Sequence, residues 1–579
     1  MNGFAGVRGK PTIGEIIEIE GAIKGAKQVC FNRLLVIGSV LMISFCLLGG
    51  RLIELSMVTV DNIRTITMPQ PNEVKFSRKN VVDRNDVLLS TNLNTESLYA
   101  TPQKIIDPMD AAEKLHEIIP ELSVSKLQKE LKSPKGFVWI KRSISPKEQE
   151  AVNDLGIPGL YFQTEEKRVY PQGNLVSHVL GMVGTDGKGL SGIEKFFDKE
   201  LSGLSEKPYE RDNLQLSVDV RVQDVLNKEL QKAITEFKAL GGSAIVMDAN
   251  NGEVIGMTNL PDFDPNNPLK INAKNTFNQS TLGLYEMGST FKTFTLAAAL
   301  ESRIIKLSDS FDATKPIRFA GFTISDYHPE NRWLNVPEIF MHSSNIGMAR
   351  IAQELGKQKQ KEFLTKVGLL RDLDFEIPEK GRPMLPESWG EIHTMTISYG
   401  HGVAVTPLHV VAAMAALVNG GTYHKPTLIK QTENTDGERV LSEKTSKTMR
   451  KLLRLVVSEG TGAKAAVDGY LVGGKTGTAD KQSEGKYSTS AKLTSFVGAF
   501  PINKPRYIVF AMLDEPKGNK STFGIATAGF TAAPVVSRVI SQIAPLLGVE
   551  PVDEESEAIQ DALKIDFMGR QDIASERTR

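Results

Sequence analysis

The most strongly apolar stretch of the chain lies near its N-terminus. Residues 34–50 carry no charge, and extension to Leu55 gives a segment long enough to span a bilayer if Arg51 snorkels to the interface. No small-x-small cleavage site follows, which favours an uncleaved signal-anchor over 34–55 rather than a cleaved signal peptide. The excess of lysine and arginine in residues 1–33 predicts a cytoplasmic tail, with the chain outside the membrane from about residue 56.

Beyond the anchor, short strand-like runs alternate with charged helical stretches up to about residue 210. Residues 80–90 are typical, because two apolar runs flank the polar segment 83–86 and predict a strand, a turn and a second strand. No catalytic constellation occurs in this region. We therefore expect 56–210 to form a non-catalytic pedestal domain.

A larger domain is predicted over 211–547, with sheet signals at both of its ends. Its first half is predicted to contain a strand at 214–219, a helix at 221–240, and strands at 243–248 and 253–257 joined by the hairpin signal Asn251-Gly252. The later predicted elements are a mostly helical region at 335–465 with a possible hairpin at 418–430, a strand at 470–476, a polar loop, strands at 494–500 and 507–513, and a helix at 532–547. A sheet built from both ends of a domain, with helices between, is an α+β fold: a central antiparallel sheet flanked by helices. The acidic residues 548–579 are expected to be an exposed tail.

Composition narrows the possible functions. The chain has 579 residues, enough for two or three domains, and its 69 basic and 69 acidic residues balance, so charge gives no reason to expect nucleic-acid binding. Cys30 and Cys46 are the only cysteines, and both lie at or within the predicted span. The exported portion therefore has neither a disulfide framework nor a thiolate zinc site, and the eight histidines show no paired metal spacing.

Ser289 and Lys292 form the strongest chemical signal. They precede the apolar run 294–300, which predicts a helix that begins near the serine and places both side chains on one face. Lys292 could take the serine proton if its pKa fell from about 10.4 towards 7, roughly 4 kcal/mol, through burial or a second cation. The same S-x-x-K spacing at Ser123 and at Ser483 opens no apolar helix, so those two serines are expected to be solvated.

Two further motifs follow in order: Ser343-Ser344-Asn345 and Lys475-Thr476-Gly477-Thr478. With S-x-x-K they match the three-motif set of the serine penicillin-recognising enzymes. S-x-N alone is weak, since residues 90–92 also fit it, and helix capping is an alternative role for Ser343 and Asn345. K-T-G is more specific, because it occurs once, at the end of a predicted edge strand.

Each of these positions has an expected task. Lys475 would dock a substrate carboxylate and help to keep Lys292 neutral, and the hydroxyls of Thr476 and Thr478 would bind the same carboxylate. Gly477 would let a peptide lie along the edge strand. The backbone N–H groups of Ser289 and Thr478 would form an oxyanion hole. Ser343 and Asn345 would bridge Lys292 and the substrate amide, with Ser343 as a relay for the leaving-group proton.

From the anchor to about residue 547, the chain resembles the class B penicillin-binding proteins, most closely those of cell division. The resemblance rests on the three motifs and on four further signatures: Arg78 with 82–85, Gly189 to Glu194, residues 398–402 with 406–408, and residues 528–530 with 532–534. Met287 stands where the family usually has proline, and is expected to loosen the turn before Ser289. Lys79 and Asp86 replace common glycines, and the link between Gly203 and Leu214 is shorter than usual.

The resemblance implies a D,D-transpeptidase of the D-Ala-D-Ala transpeptidase and carboxypeptidase class. Ser289 would form the acyl-enzyme with a stem peptide or a β-lactam, without metal or cofactor. Implied partners are a polytopic glycosyltransferase of the FtsW type and other division proteins, at the septum of the inner membrane. The alternatives are an elongation-type transpeptidase of the same class, a hydrolytic carboxypeptidase or β-lactamase, and a catalytically silent β-lactam sensor or division scaffold. A sensor should carry a cytoplasmic signalling module, for which the 33-residue tail is too small.

Overall fold

The computed structural model describes residues 13–64, 77–203, 213–319, 321–432, 436–483 and 486–565, without the side chains of 13–26, 53–64, 269 and 482–490. Helix α1 (Ile13–Arg64) forms a unit of its own. Its segment Lys27–Leu52 is the one helix among the described residues that is long and apolar enough to cross a membrane, and it overlaps the span predicted over 34–55. The shortened link after Gly203 and the predicted solvation of Ser483 lie outside the described residues.

Residues 77–203 build a small sheet with helices on one side. Its elements are β1 (Val81–Val82), β2 (Leu88–Ala100), α2 (Pro108–Ile118), α3 (Val124–Leu131), β3 (Val138–Ile144), α4 (Pro146–Asp154), β4 (Leu160–Val169), α5 (Ser177–Leu180), α6 (Gly192–Phe196) and α7 (Asp198–Leu201). Strand β2 pairs antiparallel with β1, β3 and β4. The pairing of Val81 with Ser90 confirms the predicted strand, turn and strand. Ser123 precedes α3 and is exposed, as expected.

A buried ion cluster ties this region together. Glu194 is fully buried and receives the guanidinium Nε of Arg78 and that of Arg168, each at 2.7 Å. Arg78 also donates to Asp198 at 2.8 Å. Two of the family signatures noted in the sequence, one containing Arg78 and one containing Glu194, therefore meet in a single charge network. Asp86, at a position where the family often has glycine, adopts φ 63, a left-handed conformation that aspartate tolerates better than most residues.

The elements of the larger domain begin at residue 214. They are β5 (Leu214–Gln215), α8 (Val220–Phe237), β6 (Gly241–Asp248), β7 (Val254–Leu260), α9 (Phe291–Glu301), β8 (Ser310–Asp312), β9 (Ile317–Phe319), β10 (Phe322–Ile324), β11 (Trp333–Asn335), α10 (Val336–Met341), α11 (Asn345–Leu355), α12 (Lys357–Lys366), α13 (Glu391–Ser398), α14 (Pro407–Val418), β12 (Thr422–Tyr423), β13 (Glu438–Arg439), α15 (Glu443–Ser458), β14 (Gly473–Ser483), β15 (Lys486–Phe500), β16 (Tyr507–Asp514), α16 (Ala532–Leu546) and α17 (Glu557–Leu563).

The central sheet confirms the α+β prediction. Its order is β14-β15-β16-β6-β7, all antiparallel, so the strands come from both ends of the domain. Successive residues of β6 face opposite layers, because side chains alternate along a strand. Val246 joins the apolar layer that contains Leu226 of α8 and Ile540 of α16, while Ile245 joins the layer that contains Phe294 of α9. The sheet thus lies between two helical layers, and α9 carries the active-site motif.

Three sequence predictions of local structure need correction. The strand expected over 214–219 is only Leu214–Gln215, and it pairs with β1 of the smaller sheet. The hairpin expected at 418–430 does not form, because β12 pairs with β13 instead. The polar loop expected between 476 and 494 is an extension of β14 and β15, whose pairing continues to Ser483 and Lys486. The K-T-G motif therefore lies inside a long strand rather than at its end.

The C-terminal segment is largely exposed to solvent, but it makes hydrogen bonds and apolar contacts with the rest of the domain. Most residues of 551–565 are exposed, as predicted. However, Glu554 accepts a hydrogen bond from Arg454 at 2.6 Å, and the backbone N–H of Val552 donates to Gly469 O at 2.8 Å. Leu563 of α17 packs against the large apolar core. Within the described part of the chain, residues 548–565 are therefore docked rather than a loose tail.

Candidate active site

Ser289 lies in a tight turn that leads into α9. The turn Gly288–Thr290 is a 3-10 helix, and the α-helix begins at Phe291, which confirms the predicted helix start to within two residues. Gly288 has φ 50, and a Cβ there would lie 2.5 Å from Thr478 O, so only glycine permits this approach of β14. Met287 is buried with φ −87, near the value of about −65° that proline enforces, so the turn forms without proline.

Lys292 is fully buried beside the serine. Its Nζ lies 3.0 Å from Ser289 Oγ and 3.0 Å from Ser343 Oγ, and it donates to the carbonyl oxygen of Ser343. Burial, together with the positive charge of Lys475, holds the pKa of Lys292 well below its usual value, against the opposing effect of Asp326. A neutral amine in this position can accept the proton of the Ser289 hydroxyl.

Ser343 links the two buried lysines. Its Oγ accepts a hydrogen bond from Lys475 Nζ at 3.0 Å and lies at the same distance from Lys292 Nζ. Ser343 has φ 61, an uncommon conformation for a residue with a side chain. This places both its hydroxyl and its carbonyl oxygen against Lys292. An unbroken path of polar atoms therefore runs from Ser289 through Lys292 and Ser343 to Lys475.

The other two residues of that motif have different contacts. Ser344 caps α11, since its Oγ accepts from Gly347 N at 2.9 Å, so the capping alternative holds for Ser344 rather than for Ser343. The Asn345 side-chain amide donates to Ser325 O at 2.9 Å and makes no hydrogen bond to Lys292 among the described residues. Of the two residues expected to bridge Lys292 and the substrate amide, Ser343 contacts Lys292, and the bridge itself stays a prediction.

Strand β14 places the K-T-G side chains around this path. Lys475 is fully buried, and burial lowers its pKa to about 7. Thr476 Oγ1 lies 2.9 Å from Thr461 Oγ1, and Thr478 Oγ1 accepts from Ala528 N at 3.1 Å. A Cβ on Gly288 would lie 3.4 Å from Thr478 N, so the backbone of Thr478, which we assigned to the oxyanion hole, lies beside the turn that carries Ser289. The strand is the edge of the described sheet, as predicted.

Gly477 is required for a reason that the sequence did not reveal. We expected a glycine here to leave room for a bound peptide. That role stays a prediction; in addition, a Cβ on Gly477 would lie 2.5 Å from Met287 O and 2.5 Å from Thr290 Oγ1, so the missing side chain lets β14 contact the serine-bearing turn directly. The glycine thereby sets the position of the K-T-G backbone relative to Ser289.

Several supporting residues were not found from the sequence. Asp326 accepts from Ser344 Oγ at 2.7 Å and from the backbone N–H of Asn345 at 2.5 Å, so it fixes the start of α11. Glu286 accepts from Gly402 N at 2.8 Å, which attaches the glycine-rich turn at 400–402 to the segment before Ser289. Asp326 is not part of a recognisable motif, and Glu286 is not part of a polar pattern. Neither residue could therefore be assigned a role from the sequence.

Acylation by a β-lactam carboxylate is expected to follow a bell-shaped pH profile. Lys292 must be neutral to accept the serine proton. The second-order rate constant for acylation therefore rises as the pH passes the lowered pKa of Lys292. Lys475 must be protonated to attract the carboxylate, and with its pKa at about 7 the rate constant falls above that pH. The measurement is stopped-flow acylation at a series of pH values on both sides of about 7, the pKa of Lys475. With a β-lactam methyl ester, which has no carboxylate, the rate constant should not fall above that pH. An identical fall with the ester would contradict the role of Lys475 in attracting the carboxylate.

Gly477→Ala is expected to lower the acylation rate constant at least about tenfold, because the added Cβ pushes β14 away from the turn and displaced catalytic groups lose rate steeply. The same substitution at Gly136, where an added Cβ meets nothing within 4 Å, is the matched control and should leave the rate unchanged. Both variants are assayed with the same fluorescent penicillin. Unaltered acylation in Gly477→Ala would show that the contact between strand and turn is not needed.

The fold and the buried serine-lysine path define a serine acyl-enzyme of the penicillin-recognising type, and comparison with known families agrees. Residues 242–541 match the penicillin binding protein transpeptidase domain, and residues 74–215 match the penicillin-binding protein dimerisation domain. The chain belongs to the family of penicillin-binding proteins that carry these two domains. The resemblance noted in the sequence is therefore confirmed.

Individual relatives share most of the chain. The protein is 38% identical to the probable peptidoglycan D,D-transpeptidase FtsI of Caulobacter vibrioides, over 82% of each chain. It is 33% identical to stage V sporulation protein D of Bacillus subtilis, over 82% of this chain and 79% of that one. Among solved structures, penicillin-binding protein 3 of Mycobacterium tuberculosis matches with a TM-score of 0.66 over 82% of this chain and 97% of that chain. At 23% identity, this last likeness shows the shared fold.

Proposed function

We propose that this protein is a peptidoglycan D,D-transpeptidase that cross-links stem peptides at the division septum through an acyl-enzyme on Ser289. The observation that carries the proposal is the buried path in which Lys292 Nζ lies 3.0 Å from Ser289 Oγ and Ser343 Oγ lies 3.0 Å from both lysine amines. A scaffold that is never acylated has no need of two fully buried lysines, whose burial opposes folding.

The reaction follows from the positions of these groups. Lys292 accepts the proton as Ser289 Oγ attacks the carbonyl carbon between the two terminal D-alanines. The backbone N–H groups of Ser289 and Thr478 stabilise the oxyanion, which is worth several kcal/mol. The C–N bond then breaks, and the leaving D-alanine amine receives a proton through Ser343. The amine of a second stem peptide attacks the ester, forms the new amide and frees Ser289.

Strand β14, which carries the K-T-G motif, supplies the contacts that bind the donor, the stem peptide that acylates Ser289. Lys475, protonated in the bound state, attracts the terminal carboxylate, and Thr476 and Thr478 offer hydroxyls to it. A β-lactam presents a carboxylate and a strained amide in the same arrangement, so it acylates Ser289 as well. Carboxypeptidase activity would be the same reaction with water in place of the acceptor amine.

The cellular setting is proposed from the anchor and the relatives. The span 34–55 would hold the chain in the inner membrane, with residues 1–33 in the cytoplasm, the pedestal 56–210 and the transpeptidase domain 211–547 in the periplasm, and 548–579 as a C-terminal extension. The relative named FtsI supports a division role, while another relative is named for sporulation. An FtsW-type glycosyltransferase is proposed as the partner from the family resemblance of the sequence. Localisation of a fluorescent fusion to the septum, rather than along the side wall, separates division from elongation.

The direct test of the activity uses the detergent-solubilised full chain and a synthetic pentapeptide that ends in D-Ala-D-Ala. Wild type should release D-alanine and, with an added D-amino acid, form the exchanged peptide, as measured by mass spectrometry. Ser289→Ala should reduce both products to background. Ser123→Ala removes the exposed S-x-x-K serine and should change neither. Release without exchange at any acceptor concentration would make the protein a carboxypeptidase and overturn the proposal.

A further inference from the structure

His401 lies in a glycine-rich turn that packs directly against the turn carrying Ser289. A Cβ on Gly400 would lie 2.0 Å from Gly288 O, so the two turns touch backbone to backbone. Gly400 and Gly402 have φ 94 and φ 91, values that favour glycine, so the chain bends sharply on both sides of the histidine. The fold therefore holds His401 one residue away from the point where its turn meets that of the nucleophile.

Two hydrogen bonds fix this turn to the segment that contains the nucleophile. The backbone N–H of Gly402 donates to Glu286 Oε1 at 2.8 Å. Before the turn, Thr295 Oγ1 of α9 donates at 3.2 Å to the carbonyl oxygen of Ser398, the last residue of α13. Because both bonds reach the chain around the active-site serine, the histidine keeps a defined place beside it.

The imidazole of His401 lies among charged groups of the site. Its Nδ1 is buried while the residue is partly exposed, so Nε2 is the ring nitrogen that a substrate can reach. The ring centroid lies 5.3 Å from that of Tyr399. Burial, followed by the charge of Lys292, lowers the pKa of His401 from its usual value, against the opposing charges of Glu286 and Asp480. The ring is therefore uncharged at neutral pH and able to accept a proton.

The site thus contains two proton acceptors that come from separate elements. The path from Lys292 through Ser343 serves the formation of the acyl-enzyme. His401 is held by the turn after α13 instead, against Gly288. Water is a weaker nucleophile than an amine, so hydrolysis of an ester on the active-site serine depends on a base that removes the water proton.

We propose that His401 activates a water molecule that hydrolyses the acyl-enzyme on Ser289, which gives the protein a hydrolytic side activity on both D-Ala-D-Ala peptides and penicillins. The role of His401 rests on the acyl-enzyme of the proposed function. His401 Nε2 takes a proton from water as the water oxygen attacks the ester carbonyl carbon. The bond from that carbon to Ser289 Oγ breaks, and Oγ receives this proton back through solvent. The product leaves as a carboxylate and releases the second water proton.

The test follows the decay of the acyl-enzyme formed with a fluorescent penicillin on the detergent-solubilised full chain. Free penicillin is removed, and the label on Ser289 is measured over time at a series of pH values. In wild type the decay rate constant should rise through the lowered pKa of His401 and then level off, because only the neutral ring accepts a proton. His401→Gln should label at the wild-type rate, decay at least about tenfold more slowly and lack this rise. His116→Gln, which changes a histidine on α2 of the pedestal, is the matched control and should decay as wild type does.

A second variant separates catalysis by His401 from a structural role of its turn. Glu286→Gln keeps an oxygen that accepts from Gly402 N but removes the negative charge that raises the pKa of His401. The midpoint of the rise in the decay rate constant should therefore move to lower pH. A purely structural role would slow labelling and decay together and leave the midpoint in place.

The outcomes distinguish this side activity from the transpeptidase reaction. Normal labelling with equal decay of wild type and His401→Gln overturns the role of His401 and leaves the proposed function standing. If His401→Gln labels poorly, the midpoint in Glu286→Gln decides, and an unmoved midpoint overturns the role. Absence of any label on Ser289 in wild type would contradict the proposed function and, with it, the acyl-enzyme that His401 is proposed to hydrolyse.

Discussion

Lys292→Met is expected to lower the rate constant for acylation of Ser289 at least about 1,000-fold while the protein stays folded. General-base catalysis contributes roughly 100- to 10,000-fold, and the Lys292 amine is the basic group 3.0 Å from Ser289 Oγ. Methionine has a similar length and suits the fully buried position. Because burial of the lysine amine opposes folding, the variant should unfold at a temperature no lower than wild type.

The measurement is the rate of labelling by a fluorescent penicillin, with thermal unfolding followed on the same samples. Lys126→Met is the matched control, since Lys126 stands in the same spacing after the exposed Ser123. The control should label at the wild-type rate. A folded Lys292→Met protein that labels within about tenfold of wild type would show that another group accepts the serine proton.

Glu194→Ala is expected to destabilise the protein by about 3–5 kcal/mol. Removal of one member of a buried ion pair leaves an uncompensated charge, and here Arg168 loses its carboxylate partner while Arg78 keeps Asp198 but loses the fully buried Glu194. The free energy of unfolding is measured by urea denaturation of the exported portion, residues 57–579. Residues 77–203 should unfold first, because the cluster joins β2, β4 and the segment around Glu194.

An exposed ion pair in the same domain serves as the control. Asp110 and Lys114 are paired on α2 with both side chains about half exposed, so Asp110→Ala should leave the urea midpoint unchanged. The urea midpoint of Glu194→Gln should lie between those of Asp110→Ala and Glu194→Ala, because the glutamine amide keeps a hydrogen-bond acceptor but not the charge. A midpoint for Glu194→Ala equal to that of wild type would mean that the cluster adds nothing to stability.

The sheet of the larger domain could be predicted because its strands carry apolar residues on both faces. Strand β7 is buried throughout, β6 and β16 are buried except for their last residues Asp248 and Asp514, and the Asn251-Gly252 pair marks the turn between β6 and β7. The extension of β14 and β15 could not be predicted in this way. Residues 477–493 are largely polar, so the sequence has no apolar alternation there, and the strands are held by backbone pairing such as Lys481 with Ser488.

In the active site too, contacts between residues close in sequence could be predicted, and contacts between distant residues could not. The relation of Ser289 to Lys292 depends on one helical turn, so spacing predicted it. The contact of Ser343 with Lys475 joins residues 132 apart in the chain, and the motif order could indicate but not locate it. The role of Gly477 as a contact with Met287 O, and that of Asp326 at the start of α11, depend on tertiary packing and have no local pattern.

Mass spectrometry of the peptide labelled by a fluorescent penicillin shows directly whether Ser289 is the acylated nucleophile. Wild type, Ser289→Ala and Ser123→Ala are compared as detergent-solubilised full chains. We expect a single slowly hydrolysed adduct on Ser289, present in wild type and Ser123→Ala and absent from Ser289→Ala. An adduct on another serine, or labelling that persists in a folded Ser289→Ala protein, would show that Ser289 is not the nucleophile.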